Sequence, residues 1–368
     1  MNAPLPDVSS SVPSSSHARI VPLVWVSCAM AATSGLLFGM DVGIISGAIE
    51  FIRREFVLST LMEGWIVGSL LAGAALGALG ASAISNTLGR KRALLLSGVL
   101  FFAGALLAVM AWSPGSLVAA RLMLGLAVGI ESFIVPLYLS EIAPRRIRGT
   151  AISSYQLMIT IGILVAYLSN LGFSYMESWR AMFGVLMLPA ALMSLGVLML
   201  PDSPRWLAVK GRDDEARRVL ERLRATPEEV SQEVEDIHRN LASETRHSAS
   251  GWQPMRSNTN FRRSVLLGIA IQAAQQFTGI NVMIYFAPRI FEMANFQGTT
   301  AQLWSTVAVG VVNVLATLIA VAFVDRWERK PILYTGFGIM AVSMALLSTV
   351  LSMGVTNGLL QAMAMGHC

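Results

Sequence analysis

The sequence predicts an all-α, polytopic membrane protein, and three observations carry that reading. Nine apolar stretches of membrane-spanning length follow one another along 368 residues. Hydrophobic residues make up 54% of the chain and charged residues 13%, with a mean hydropathy of +0.61, whereas soluble domains carry roughly 25% charge. The basic residues gather in short clusters between the apolar runs. In hydrocarbon every backbone polar group must be bonded within its own segment, so runs of roughly 20 apolar residues are read as transmembrane helices.

Residues 1–19, rich in Ser and Pro, read as a disordered cytoplasmic tail without the basic start of a signal peptide, and the run that follows is too long for a cleaved signal core. The predicted spans are 20–48, 63–84, 93–112, 116–139, 150–172, 179–200, 264–290, 303–324 and 332–354. They divide the chain into a six-helix bundle over 20–200, a polar cytoplasmic segment over 201–263, three further spans over 264–354, and a terminal segment over 355–368. Within the polar segment RDDEARRVLERLR sets apolar residues at helical spacing with Asp213 four before Arg217, which predicts small surface helices. The turn LGRKRALLL after the second span recurs loosely as ERKPIL after the eighth, so six spans look like one of two parallel repeats. On that count the second repeat is expected to stop three helices short.

With the N-terminus inside, Arg19, the clusters Arg90–Lys91–Arg92 and Arg145–Arg146–Arg148, the polar segment, and Arg326, Arg329 and Lys330 are cytoplasmic, leaving Arg53, Arg54, Arg180 and Arg289 outside. That asymmetry is the positive-inside signal. It accounts for the net charge of +5 without a nucleic-acid partner. Cys28 and Cys368 are the two thiols, too few for a disulfide framework or a thiolate metal site. There is no His pair at metal spacing, no nucleophile elbow and no phosphate-cradling loop. Neither a metal, a cofactor nor an enzymatic activity is expected.

Three ionisable side chains, Asp41, Arg121 and Glu131, lie well inside predicted spans. A charge at a helix centre costs about 2.5–3.5 kcal/mol on insertion scales and is functional by default. Asp41 and Arg121 fall at similar depth, about 8–12 Å from the outer end of the first and fourth spans at 1.5 Å per residue, so they can meet. Apolar surroundings favour the neutral form of a carboxyl group and a neighbouring guanidinium favours the ionised form, so making and breaking such a pair switches proton affinity. A static ion pair is the alternative. Glu131 lies about 15 Å further along the fourth span and cannot pair with Arg121; it either faces the central cavity as a second protonatable group or is protonated against a neighbouring helix.

The seventh span carries QAAQQFTGIN, with Gln272, Gln275, Gln276 and Gly279 on one stripe. Amides offer donors and an acceptor without charge, which suits a neutral polyhydroxylated ligand; interhelical hydrogen bonding is the plain alternative. Gln276 and Asn281 reach one ligand if the helix is interrupted, and Thr278 and Gly279 suit an interruption. Tyr285 follows one turn later, and Gln156 and Asn313 are isolated amides on the fifth and eighth spans.

Taken together, LLFGMDVGIISGA, ARLMLGLAVG, PLYLSEIAPRRIRG, YQLMITIGIL, PDSPRWL, QQFTGIN and VDRWERKP resemble the sugar porter family of the major facilitator superfamily, and within it the bacterial galactose and arabinose proton symporters. The resemblance runs from about residue 20 to about residue 350. It implies the major facilitator fold, here the six-helix N-terminal bundle plus the first three helices of the C-terminal bundle, rocking about a central site. By matching position it implies Asp41 as the proton-binding carboxylate with Arg121 its partner, and Gln156, Gln275, Gln276, Asn281 and Asn313 as sugar ligands. Phe38 and Tyr285 would shape the pocket, and Arg90, Glu141, Arg148 and Arg205 would form a cytoplasmic charge latch. Asn86 and Thr87 depart from the usual Asp and Arg, Glu328 replaces a glycine, and Glu131 stands where relatives carry a small or hydroxyl residue. The implied function is monosaccharide:proton symport by a monomer in a bacterial inner membrane, its partners a hexose or pentose, a proton and the lipid bilayer. Passive sugar facilitation and non-transporting sugar binding are the alternatives. With the tenth to twelfth helices and their share of the outer gate missing, transport by this form is expected to suffer.

Overall fold

The computed structural model describes residues 21–246, 259–293, 298–323 and 329–352. The expected tail over 1–19, the segment 355–368, Cys368, Arg326 and Glu328 lie outside the described residues. Five long helices come first: α1 Pro22–Phe56, α2 Thr60–Leu88, α3 Arg90–Val109, α4 Pro114–Ile142 and α5 Arg148–Ser174. Then follow α6 Trp179–Gly184 and α7 Met187–Met199, which together make one span. Eight of the described helical stretches are long and apolar enough to cross a membrane, and the ninth expected span contributes the shorter apolar stretch Leu333–Thr349.

Local chemistry sets the helix starts. Ser59, Ser113, Ser178 and Ser203 each accept a backbone N–H of the first turn they precede, and Pro114 and Pro204 occupy first-turn positions where no N–H is needed. Several helices outrun the apolar run that predicted them. α1 continues eight residues past its expected end because Glu50 pairs with Arg53 and Arg54, at 2.7 and 3.2 Å, while Phe51 and Ile52 stay buried. Hydropathy marks the part of a helix that sits in hydrocarbon and says nothing of the part that emerges.

In lipid, apolar side chains gain little by meeting one another, so helices associate through close backbone approach at small residues. Gly35, Gly39, Gly43 and Gly47 form such a stripe along α1, and a Cβ on any of them would run into Tyr155, Ile159, Ala166 or Asn170 of α5. Gly73 and Gly77 of α2 abut α4 at Leu122 and Leu126, and Gly125 and Gly129 of α4 face Leu70 and Ala74 in return. These two crossings build the N-terminal bundle. A Gly39→Val substitution is expected to cost about 1–3 kcal/mol or more through overpacking against the Ile159 carbonyl. Gly68→Ala, where a Cβ meets open space, should leave thermal unfolding in detergent unchanged or slightly later.

The polar segment supplies α8 Pro204–Val209, α9 Asp213–Leu223 and α10 Pro227–Arg246. The Trp206 indole covers Gly89, whose positive φ joins α2 to α3, and its Nε1 donates to Asn86 O at 3.2 Å. Arg224 donates to Ile142 O at the end of α4 and pairs with Glu233, docking α9 and α10 there. Small helices were expected, but not their pairing: Asp213 bonds His238 of α10 at 2.9 Å, and Arg217 pairs with Glu221 at 3.4 Å. Tertiary contact with α10 overrides the local i,i+4 pair.

The remaining described helices are α11 Thr259–Phe277, α12 Ile280–Tyr285, α13 Ala287–Met293, α14 Thr299–Phe323 and α15 Arg329–Ser352. The seventh span is thus broken, with Gly279 at φ 78°, a left-handed conformation that glycine adopts without strain. Gly310 of α14 lies against the Tyr167 ring and Leu164 of α5, which seats α14 on the N-terminal bundle.

Candidate functional site

Asp41 and Arg121 meet in the core of the first bundle, Arg121 Nη1 donating to Asp41 Oδ1 at 3.0 Å with both side chains 0% exposed. Arg121 Nε donates to Ile66 O of α2 at 3.1 Å, and the guanidinium lies 5.9 Å from the Phe183 ring centre. The pair is incompletely bonded: Asp41 Oδ2 and Arg121 Nη2 are buried without a hydrogen-bond partner. Tyr285 of α12, itself buried, lies within electrostatic reach of both. A half-satisfied network in a dry site is costly to keep.

Arg90 and Glu141 make the opposite kind of pair. Arg90 Nε and Nη2 each donate to a Glu141 oxygen at 2.9 Å, the bidentate fork of a strong charge-assisted contact. Ser203, just before α8, adds a hydroxyl to Glu141 Oε2 at 2.5 Å. Arg148 opens α5 nearby but does not join this pair, and its Nε is buried without a partner. Arg205 is the second residue of α8. Of the residues expected there, Arg90 and Glu141 are joined directly, and Ser203 is bonded to the same carboxylate.

Glu131 does not face a cavity. It is 0% exposed, which removes the cavity-facing alternative in this conformation and leaves it against the neighbouring helices.

The broken span brings two of the expected amides together: Asn281 Nδ2 donates to Gln276 Oε1 at 2.7 Å across the turn at Thr278–Gly279. Gln275, Gln276 and Gln156 are exposed, Asn281, Asn313 and Phe38 partly so, and Phe277 is 91% exposed. Polar groups at the end of α11 thus look onto open space, while Tyr285 closes the space on the side of Asp41.

Past Tyr285 the two parts of the chain are sealed together. Tyr167 OH donates to Ile284 O at 3.2 Å, Phe291 is buried, and Arg289 of α13 pairs with Glu63 of α2 at 3.1 Å. Glu50, Arg53, Glu63, Arg289 and Glu292 rim a cleft of about 30 Å³ at this seam, room for water but not for a monosaccharide. The structure is closed at the α1–α2 end of the bundle.

The family described as "Sugar (and other) transporter" matches residues 27–367. The galactose-proton symporter of Escherichia coli (strain K12) is 50% identical over 328 residues, covering 89% of this chain and 70% of that protein. The chain belongs to the sugar transporter family. The arabinose-proton symporter of the same organism is 48% identical, covering 89% of this sugar transporter and 68% of its own length. The partially occluded, inward-open Escherichia coli xylose transporter superposes with a TM-score of 0.80 at 28% identity, over 94% of this chain and 83% of that one. The major facilitator superfamily proton:xylose symporter bound to 6-bromo-6-deoxy-D-glucose gives 0.78 at 27%, over 94% and 79%.

Sequence reasoning passed over Glu63, Arg289 and Ser203 in this sugar transporter. Glu63 and Arg289 sit at helix ends, where charge is ordinary, and Ser203 doubles as the cap of α8. A Glu and an Arg at corresponding ends of two predicted spans were visible, but only the assembled fold pairs them.

Proposed function

We propose that the protein is a monosaccharide:proton symporter of the bacterial inner membrane, a hexose or pentose carrier that works by alternating access as a monomer with its N-terminus in the cytoplasm. The observation that carries the reading is the buried, incompletely bonded Asp41–Arg121 pair beside Tyr285 of the broken helix. In it the chemistry of proton binding touches the element that must move to admit a sugar. The galactose- and arabinose-proton symporters named among its relatives point to those two sugars as the first to test.

Each part of the geometry has a role in that cycle. Asp41 takes a proton and loosens its hold on Arg121. Gln156, Gln275, Gln276, Asn281 and Asn313 bind sugar hydroxyls with groups that do not titrate at any working pH. Phe38 and Tyr285 bound the pocket. Arg90 and Glu141, with Arg148 and Arg205, hold the cytoplasmic end of the first bundle, an orientation that the clusters Arg90–Lys91–Arg92 and Arg145–Arg146–Arg148 support through the positive-inside rule. The sealed end carrying Arg289 and Glu63 then faces outward.

Uptake of labelled galactose, arabinose, xylose and glucose into energised vesicles tests the reading. Accumulation of at least one sugar that collapses when a protonophore is added is expected. Uptake of none, or uptake indifferent to the protonophore, would defeat it.

The outer seam gives a second expectation. The Arg289–Glu63 pair is half exposed on the Arg289 side, so it is worth no more than about 1 kcal/mol, up to about a fivefold shift in an opening equilibrium. In the Arg289→Ala variant a cysteine at Ser46, which lines the cleft, should react with a membrane-impermeant thiol reagent several-fold faster than in the parent.

A further inference from the structure

We propose that Glu131, with Tyr155 and Ser97, forms a second proton-binding site inside the N-terminal bundle, distinct from Asp41. Three buried polar groups converge from three helices. Both carboxyl oxygens of Glu131 on α4 lack a hydrogen-bond partner, and so does the phenol oxygen of Tyr155 on α5. The Tyr155 oxygen lies within electrostatic reach of Glu131, and Ser97 on α3 is close enough to offer its hydroxyl, which at present donates to Leu94 O at 2.7 Å.

Among the described residues no cation compensates the carboxyl group. Arg121 and Glu141 stand ten residues before and after it on α4, about 15 Å away in each direction. Both belong to other pairs, Arg121 to Asp41 and Glu141 to Arg90. Beside the Tyr155 phenol stand uncharged groups: Ser132 of α4, whose hydroxyl donates to Val128 O, and Gly35 of α1, against which the Tyr155 ring lies. An ionised carboxylate with neither counter-ion nor hydrogen bond is too costly to keep dry, so in this conformation the group holds its proton. One carboxyl is too few ligands for a metal ion, which demands several. A proton is the charge this site can take without further ligands, the new O–H of the acid turning to the Tyr155 or Ser97 oxygen as acceptor.

The step is a simple one: a carboxylate oxygen gains a proton from water when a conformational change admits water to α4, and returns it the same way. Midway along α4, between the Asp41 pair and the Arg90–Glu141 pair, the site is placed to load a second proton in the cycle. Its use in transport rests on the symport reading; its existence does not.

Infrared difference spectroscopy of the reconstituted protein, stepped from acid to alkaline pH in H2O and D2O, tests it. A protonated-carboxyl band that titrates should be present in the parent and in Asp41→Asn, be lost in Glu131→Gln, and shift in Tyr155→Phe. A band unchanged by Glu131→Gln, or a Glu131 band that persists at every pH, would overturn the proposal, the latter showing a permanently neutral structural acid. Should Glu131→Gln fail to fold, the Tyr155→Phe shift decides the matter alone, its absence counting against the proposal. Failure of the symport reading registers elsewhere, as sugar uptake by the parent that is indifferent to a protonophore.

Discussion

Vesicles containing the Asp41→Asn variant, given an inwardly directed proton gradient, are expected to bring labelled monosaccharide to the outside concentration and no higher, yet to exchange internal for external sugar at a rate near that of the parent. Asparagine keeps an oxygen for Arg121 Nη1, which now donates to Asp41 Oδ1 at 3.0 Å, but it cannot lose a proton. It therefore mimics the protonated carboxyl, a state the cycle must visit if Asp41 carries the coupling proton. Stability separates a switch from a fixture. Removing one partner of a static buried pair costs about 3–5 kcal/mol by stranding the other charge. A pair whose neutral form the cycle visits must tolerate loss of the carboxylate charge, and Asn keeps an acceptor for Arg121, so Asp41→Asn should lose clearly less stability in detergent than that.

Glu141→Gln should behave differently. Arg90 and Glu141 are buried, doubly hydrogen bonded and reinforced by Ser203, and nothing in the proposed cycle asks them to exchange a proton. Neutralising Glu141 strands the Arg90 guanidinium and is expected to lower stability by about 3–5 kcal/mol, read as a large drop in the thermal midpoint. Ser203→Ala removes a single hydroxyl from the carboxylate and the cap of α8, with an expected loss nearer 1–3 kcal/mol. A Glu141→Gln protein as stable as the parent, beside a badly destabilised Asp41→Asn protein, would reverse the roles assigned to the two pairs.

Much of this architecture was legible in the sequence because hydrocarbon imposes a simple rule. Apolar length located the spans, and equal depth along α1 and α4 was enough to bring Asp41 and Arg121 together, since depth depends only on residue count. The break at Thr278–Gly279 was also foreseeable, because Gln276 and Asn281 could serve one ligand by no other route. What depended on rotation about a helix axis was not legible. Whether Glu131 faced a cavity or α3 and α5 turns on a few tens of degrees that an almost uniformly apolar helix does not encode. The pairing of Asp213 with His238, the absence of Arg148 from the Arg90–Glu141 pair and the meeting of Glu63 with Arg289 all join residues on different helices. Their partners follow from how the helices pack, which no single segment encodes.

The proton itself gives the most direct test of the claim that Asp41 exchanges its proton against Arg121 during sugar movement. Adding monosaccharide to lightly buffered, de-energised vesicles containing the protein should raise the external pH as protons enter with the sugar, and the Asp41→Asn variant should give no rise at all. A rise of equal size in that variant would contradict the account.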